Sequence, residues 1–323
     1  MPLCYNQTAM RHIFIINPAA GKKNITDRVR KEIDGVCARR GIHPLVFISE
    51  YNGYERFIAE KMCSLFIDED IRFYCVGGSG TLVQTLSGID DAHNRQIACY
   101  PSGMTNDFLK CYKDGNRGFS NIEALLDGRI DKIDYIKVMG FCKALDFINI
   151  GLGNSMFDSN GLPDLAVKSS SSFGYATAIA YDILKDSAVE YELSVDGKDF
   201  SGKYAMVLCM NGRCLGGTLV PTEEARPNDG VMNILLFKDL PHLKQGSNLI
   251  KFYFGNQEAM NESATMVKGR RLIITRKDHT RMLLNCDGDG FTPQETTLDI
   301  RLIPAGVNFV APQHTALILP VGN

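Results

Sequence analysis

Two short stretches carry residue types that could move a phosphoryl group or a proton. The first is the turn Gly77-Gly78-Ser79-Gly80-Thr81, set between the apolar run Ile71 to Val76 and the periodic segment Leu82 to Ile89. Glycines there let backbone N–H groups approach an anion where a helix starts, which is phosphate-binding chemistry. A Gly-Gly turn also serves tight strand-to-helix packing, and Ser79 or Thr81 could cap the helix. The second stretch is Asn285-Cys286-Asp287-Gly288-Asp289-Gly290. Its two carboxylates could hold a divalent cation or take a proton from a hydroxyl. Asp-Gly is equally a hairpin turn, and the full EF-hand pattern with its closing Glu is missing.

Two more loops sit beside candidate strands. Asn17-Pro18-Ala19-Ala20-Gly21-Lys22-Lys23 is not a Walker A loop, because Ile16 and Lys23 stand where that loop needs Gly and Ser/Thr. It reads as a phosphate-binding turn or as a solvated one. Pro101-Ser102-Gly103-Met104-Thr105-Asn106-Asp107 concentrates a hydroxyl, an amide and a carboxylate. Thr105 or Asn106 capping a helix, with Asp107 in its first turn, is compatible with a ligand role. The six histidines fall in no ligand or triad spacing, and neither H-E-x-x-H nor G-x-S-x-G occurs. Asn248 to Phe254, with Lys244 and Lys251, reads as a core segment whose lysines snorkel, or as an interfacial surface.

These loops need elements to position them. Through residue 137 strand and helix signals alternate, the pattern of a parallel sheet with crossover helices. Strands are expected at His12–Ile16, Pro44–Ser49, Ile71–Val76 and Ile97–Tyr100. Helices are expected over Ile25–Val36, Tyr54–Phe66, Leu82–Ile89 and Asp107–Tyr112. The Asn17, Gly77 and Pro101 loops then leave the C-terminal ends of strands, the edge of an open sheet where ligands bind. Residues 138–306 turn two-periodic, with strands expected at Tyr191–Val195, Phe200–Met210, Val231–Phe237, Arg271–Arg276, Arg281–Cys286 and Thr297–Ile303. Asp196-Gly197 marks a hairpin and Ala176–Lys185 a helical interruption. The fold class is α/β: a three-layer parallel-sheet domain over 1–137, a β-sandwich over 138–306, and a tail, 307–323, that returns to the first domain.

At 323 residues the chain accommodates two domains. Lys plus Arg (35) nearly balance Asp plus Glu (37), for a formal charge of −2, which argues against a general nucleic-acid binder. The ten cysteines form no C-x-x-C pair and several lie in apolar runs, as buried thiols of a reducing compartment do. No signal-peptide pattern or membrane-spanning run is present, so a cytoplasmic protein with at most peripheral lipid contact is expected.

Taken in order, IINPAAGKK, VGGSGTLVQTLSGI, PSGMTNDF, INIGLG, NGRCLGGTLVP, NDGVMNILLF and CDGDG resemble the catalytic family of diacylglycerol kinases. That family includes bacterial lipid kinases and is related to sphingosine and ceramide kinases; the resemblance runs from Ile13 to Pro304. It implies phosphorylation of a hydroxyl of diacylglycerol or a related lipid, dependent on ATP and Mg²⁺, in a cleft between the nucleotide-binding domain and the sandwich. Asn17, Pro18, Gly21, Gly77, Gly78, Gly80, Thr81, Gly103, Thr105 and Asn106 would form the nucleotide site. Asp107 would help organise Mg²⁺, and Asp229 would hold a structural Mg²⁺ with the carbonyls of Arg226 and Val231. Asp287 and Asp289 would orient and deprotonate the acceptor.

Three departures stand out. Ser79 occupies the family's catalytic Asp position, Met104 replaces a Thr, and Asp289 is one methylene shorter than the usual Glu. Losing one acid–base or metal-positioning group costs ~10²–10⁴ in rate. A nucleotide- or lipid-binding homologue that has lost transfer is the alternative reading, and an NAD kinase-like enzyme a third. The implied partners are nucleotide and a lipid met transiently at a membrane surface, with a homodimer through an exposed sheet edge as a further expectation.

Overall fold

The computed structural model describes residues 10–103, 105–157, 171–185, 188–253 and 256–318; Met104 and the end of the tail, Leu319 onward, lie outside them. Four strands carry the first domain: β1 (Arg11–Ile16), β2 (Leu45–Ile48), β3 (Ile71–Gly77) and β4 (Arg95–Pro101). They pair in parallel in the order β4-β3-β1-β2. Parallel pairing requires crossovers, supplied by α1 (Thr26–Arg39), α2 (Tyr54–Leu65) and α3 (Ser79–Gly88). The helical spacing of Val29, Ile33 and Val36 puts all three on the buried face of α1. The expected helix over Asp107–Tyr112 is instead a 3₁₀ turn, Asp107–Cys111. Asn106 precedes it at φ 45°, and its side chain makes no cap.

From β5 (Arg129–Val138), β6 (Cys142–Ala144) and β7 (Phe147–Gly151) onward the pairing is antiparallel. Next come helix α4 (Ser171–Leu184), β8 (Val189–Val195), β9 (Lys198–Asp199), β10 (Gly202–Met210) and β11 (Met232–Lys238). Helices α5 (His242–Tyr253) and α6 (Gln257–Ser263) precede β12 (Ala264–Gly269), β13 (Arg271–Arg276), β14 (Leu284–Cys286), β15 (Asp289–Phe291) and β16 (Thr297–Ala311). The result is an antiparallel, β-sandwich-like second domain. Asp196 and Gly197, at φ 48° and 80°, form the expected hairpin turn between β8 and β9. The run Phe200–Met210 starts as strand only at Gly202, and Arg281–Cys286 only at Leu284. The Asn248 region is part of α5, which buries Asn248 and leaves Leu243 and Ile250 exposed.

β16 extends past the expected Ile303 and joins the domains. It runs antiparallel to β5 from Ile300↔Val138 to Ala311↔Arg129, then lies parallel to β4 at Asn308 and Phe309. Asn308 and Phe309 thus pair with the first sheet. Where its register shifts, buried Asp134 of β5 accepts from the backbone N–H groups of Ala305 and Gly230, each at 2.7 Å. One carboxylate thus fixes two loops of the second domain.

Replacing Asp134 by Ala strands both N–H groups. A loss of about 3 kcal/mol is expected from two charge-assisted hydrogen bonds, read as a lower urea midpoint at unchanged slope.

Candidate functional site

The ends of β1, β3 and β4 meet as their sequence positions require. The Gly77 carbonyl accepts from Ser102 N (2.9 Å), Gly103 N (3.1 Å) and Asn106 Nδ2 (2.9 Å). Asn17 N donates to the Val76 carbonyl, and Asn17 Nδ2 donates to Thr81 Oγ1 and Glu55 Oε1, each at 3.1 Å. Approach is close enough to demand glycine. A Cβ on Gly21, which sits at φ 79°, would lie 2.1 Å from the Ser102 carbonyl oxygen; one on Gly103 would lie 2.3 Å from Gly78 Cα.

The hydroxyls do not cap as a bland reading would have it. Helix α3 starts from Gly78 with no side-chain cap, and Ser79 Oγ accepts from Asp107 N at 3.3 Å. Gly80 faces open space, while Ser102 Oγ and Asn106 Oδ1 are buried without partners. An uncapped helix start and open backbone form a cradle whose free N–H groups can receive an anion. Pro18 lies in the Asn17 turn, where Ala19 N donates to Asn17 Oδ1, and the Thr105 carbonyl accepts from Asn116 Nδ2. The exposed Lys22 and Lys23 end that turn.

The second domain closes on this cradle through β14 and β15. Asp287 and Gly288, at φ 48° and 92°, turn the hairpin. The Asp287 carboxylate accepts from the backbone N–H groups of Leu145 (2.7 Å), Asp146 (3.0 Å) and Phe147 (2.7 Å). Burial pushes its carboxyl up to about 7, against those three donors. These three backbone donors make Asp287 a clamp on residues 145–147. Asp289 is different. It is partly buried, and Gln84 of α3 donates to its Oδ2 across the domain junction. Burial raises its pKa, and burial likewise raises that of Glu55, to which Asp289 adds a like charge.

Two of the expected metal ligands, Asp107 and Asp229, have partners within the protein. Asp107 Oδ1 pairs with Lys110 Nζ at 2.9 Å, and its Oδ2 accepts from Gly217 N at 3.1 Å. Asp107 therefore ties the first domain to the Leu215–Leu219 loop, and Lys110 Nζ also donates to the Gly217 carbonyl. Asp229 accepts from Val231 N at 3.1 Å, while Arg226 Nη1 donates to the Ala225 carbonyl at 2.7 Å. Among the described residues no group of three or more His, Cys, Asp or Glu converges as a ready-made metal cage.

Glu55, Gln84, Lys110 and Asp146 join the site without having been singled out from sequence. Glu55, Gln84 and Lys110 each face a partner from a distant segment, and no local spacing signals that. The Leu215–Leu219 loop also lines an apolar pocket of the second domain with Leu152, Ile183, Leu208 and Met260. Among the described residues no helix is long and apolar enough to cross a membrane.

Residues 11–138 match the diacylglycerol kinase catalytic domain family, and residues 163–311 match the YegS C-terminal NAD kinase beta sandwich-like domain. The chain is 28% identical over 305 residues to a Staphylococcus aureus (strain MSSA476) protein named "Putative lipid kinase SAS0691", covering 90% of this chain and 93% of that one. Its fold is similar to a solved structure described as "a putative diacylglycerol kinase" from Bacillus anthracis str. Sterne. There the TM-score is 0.72 at 17% identity, with 94% of this chain and 98% of that one covered. A second structure, of a diacylglycerol kinase from the same organism, gives a TM-score of 0.67 at 17% identity over 95% and 98% of the two chains. The chain belongs to the diacylglycerol kinase catalytic-domain family.

The two hairpin carboxylates should separate in denaturation experiments. Asp287→Ala strands three buried N–H groups and is expected to cost about 3 kcal/mol or more. Asp289→Asn keeps an acceptor for Gln84 and should stay within about 0.5 kcal/mol of wild type.

Proposed function

We propose that this member of the diacylglycerol kinase catalytic family transfers a phosphoryl group from ATP to the hydroxyl of diacylglycerol or a related lipid at a membrane surface. One juxtaposition carries the reading. The phosphate cradle at Gly77–Thr81 faces Asp289 across the domain junction, and the loop tied to Asp107 lines an apolar pocket on its other side. A polar site linked through one loop to an apolar pocket suits an acceptor with a hydroxyl head and hydrocarbon tails. Leu184, Leu243 and Ile250, exposed on α4 and α5, extend that apolar character to the surface. The relatives' names support the same class.

The residues present fit a nucleotide. The α3 start, Gly80, Asn17 and Ser102 would hold its phosphates, and the orphaned Ser102 Oγ and Asn106 Oδ1 await polar partners. Bound ATP supplies the phosphoryl group, and Mg²⁺ supplies charge neutralisation, the dominant need of such a transfer. Asp289 takes the acceptor's proton as the hydroxyl oxygen gains the phosphoryl group, and Gln84 holds the carboxylate for that step. Asp287 keeps the 145–147 backbone in register beneath it. Apolar walls exclude water, whose attack would waste the nucleotide.

Ser79 favours a second reading, a nucleotide- and lipid-binding homologue without transfer, because a hydroxyl brings no negative charge to the turn. The test is transfer from labelled ATP to diacylglycerol, sphingoid and polyprenol acceptors in mixed micelles. Wild type is expected to phosphorylate at least one; transfer by Ser79→Asp alone would support the second reading, and silence from both would reject the kinase.

Two further outcomes follow. Because burial holds the Asp289 pKa above the ordinary carboxylate range, the base is lost as pH falls through that raised value. The rate should therefore drop on the acid side, and Asp289→Asn should lower kcat by ~10²–10³ and flatten that limb. Met260→Trp, which fills the apolar pocket, should cut kcat/KM for long-chain acceptors about tenfold while ATP affinity, measured by calorimetry, stays unchanged.

A further inference from the structure

Two buried nucleophiles, Cys142 and Cys286, take no part in the transfer chemistry. Their Sγ atoms lie 2.9 Å apart, although 144 residues separate them along the chain. Both belong to the apolar cluster of the second domain that also takes in Val83 of α3 and Ile148 of β7. Cys142 opens β6, which pairs with β5; Cys286 closes β14, which pairs with β7 and β15. The two strands share no ladder, so the sulfurs meet through side chains alone.

Two thiols packed as small hydrophobes with one shared hydrogen bond would be an ordinary core contact. Three features set this pair apart. A disulfide bond is about 2.05 Å long, so closing one here asks the sulfurs to approach by roughly 1 Å. The strand β6 is three residues long, has β5 as its one strand partner and follows the exposed turn at Met139 and Gly140. Short segments of this kind open without global unfolding, which gives a small oxidant a route to Cys142. Lastly, burial pushes the Cys286 thiol up, and its hydrogen bond to Cys142 adds to the rise. Cys286 is thus the partner that keeps its proton, and Cys142 the one that reacts first.

We propose that Cys142 and Cys286 are a redox-modification site, closed by a peroxide to a disulfide at the base of the hairpin that carries Asp289. Cys142 attacks one oxygen of hydrogen peroxide as a thiolate. The O–O bond breaks, hydroxide leaves and takes up the thiol's proton as water, and Cys142 becomes a sulfenic acid. The Cys286 sulfur then forms the S–S bond as the S–O bond breaks, and its proton departs with the hydroxyl as a second water. Two thiols are oxidised to one disulfide while one peroxide is reduced to two waters. None of this depends on the phosphoryl-transfer reading. The new bond doubles a link that a carboxylate already makes, since Asp287, beside Cys286, accepts from Leu145 in the segment that Cys142 opens. Because the loop closed is long, the bond restricts the unfolded chain more than the folded one.

The experiment treats the reduced full chain with hydrogen peroxide, blocks the remaining thiols with N-ethylmaleimide in denaturant and maps the peptides by mass spectrometry. The expected product is a Cys142–Cys286 cross-linked peptide. The thermal unfolding midpoint of the oxidised chain should rise by about 5 °C and fall back when dithiothreitol reduces the bond. Cys142→Ala should give neither cross-link nor oxidant-dependent rise. Cys286→Ala should stop at the sulfenic acid on Cys142, trapped with dimedone.

Full alkylation of both thiols after peroxide would overturn the proposal. So would sulfinic acid on Cys142 without a cross-link, or a cross-link from either thiol to another cysteine. A correctly cross-linked chain with a lower midpoint would overturn the stapling role. Wild type carries the deciding measurement, so a variant that fails to fold leaves the test intact.

Discussion

The carbonyl oxygen of Gly77 is where the loop edge of the first sheet is tied together. It accepts from Ser102 N, Gly103 N and Asn106 Nδ2, so the end of β3 and the loop after β4 share one acceptor. That sharing brings the two backbones too close for any side chain between Gly78 and Gly103. It also turns the Asn106 amide inward, away from the helix cap its sequence position suggested, and leaves its Oδ1 facing the cradle. With Asn17 donating to Thr81, three loops from three strands become one surface. A site for phosphate oxygens needs such rigidity, since phosphoryl transfer depends on positioning more than on covalent chemistry.

The second domain is held to that surface by polar contacts rather than by apolar burial alone. Asp107 reaches Gly217, Gln84 reaches Asp289, and Asp134 reaches Gly230 and Ala305. Three of these four residues are carboxylates, and their oxygens are used by the protein itself. The cleft is consequently rich in acidic groups with little free basic charge. Burial raises the pKa of both Asp289 and Glu55, and the Asp289 charge adds to the rise at Glu55.

The division of labour within the Asp-Gly-Asp hairpin follows from one φ angle. Asp287 sits at φ 48°, a left-handed conformation that turns its carboxylate back under the 145–147 backbone. Asp289, two residues on and already in β15, points toward α3 instead. Two identical side chains thus meet unlike partners, the 145–147 backbone and Gln84, because the turn separates their directions.

Much of the architecture was legible from sequence because it is written in local periodicity. The spacing of Val29, Ile33 and Val36, the apolar run Ile71 to Val76 and the Asp196-Gly197 turn each determine their element without outside help. The order of the three loops after β1, β3 and β4 likewise set which sheet edge binds. What only the tertiary structure decided are the partners of charged groups. Asp107 with Gly217, Asp287 with Leu145, Glu55 with Asn17 and the unpaired Asp146 all depend on segments far apart in the chain. A carboxylate's role is set by which donors reach it, and hydrogen bonds form at about 3 Å, a distance that sequence spacing does not encode once the chain has folded back on itself.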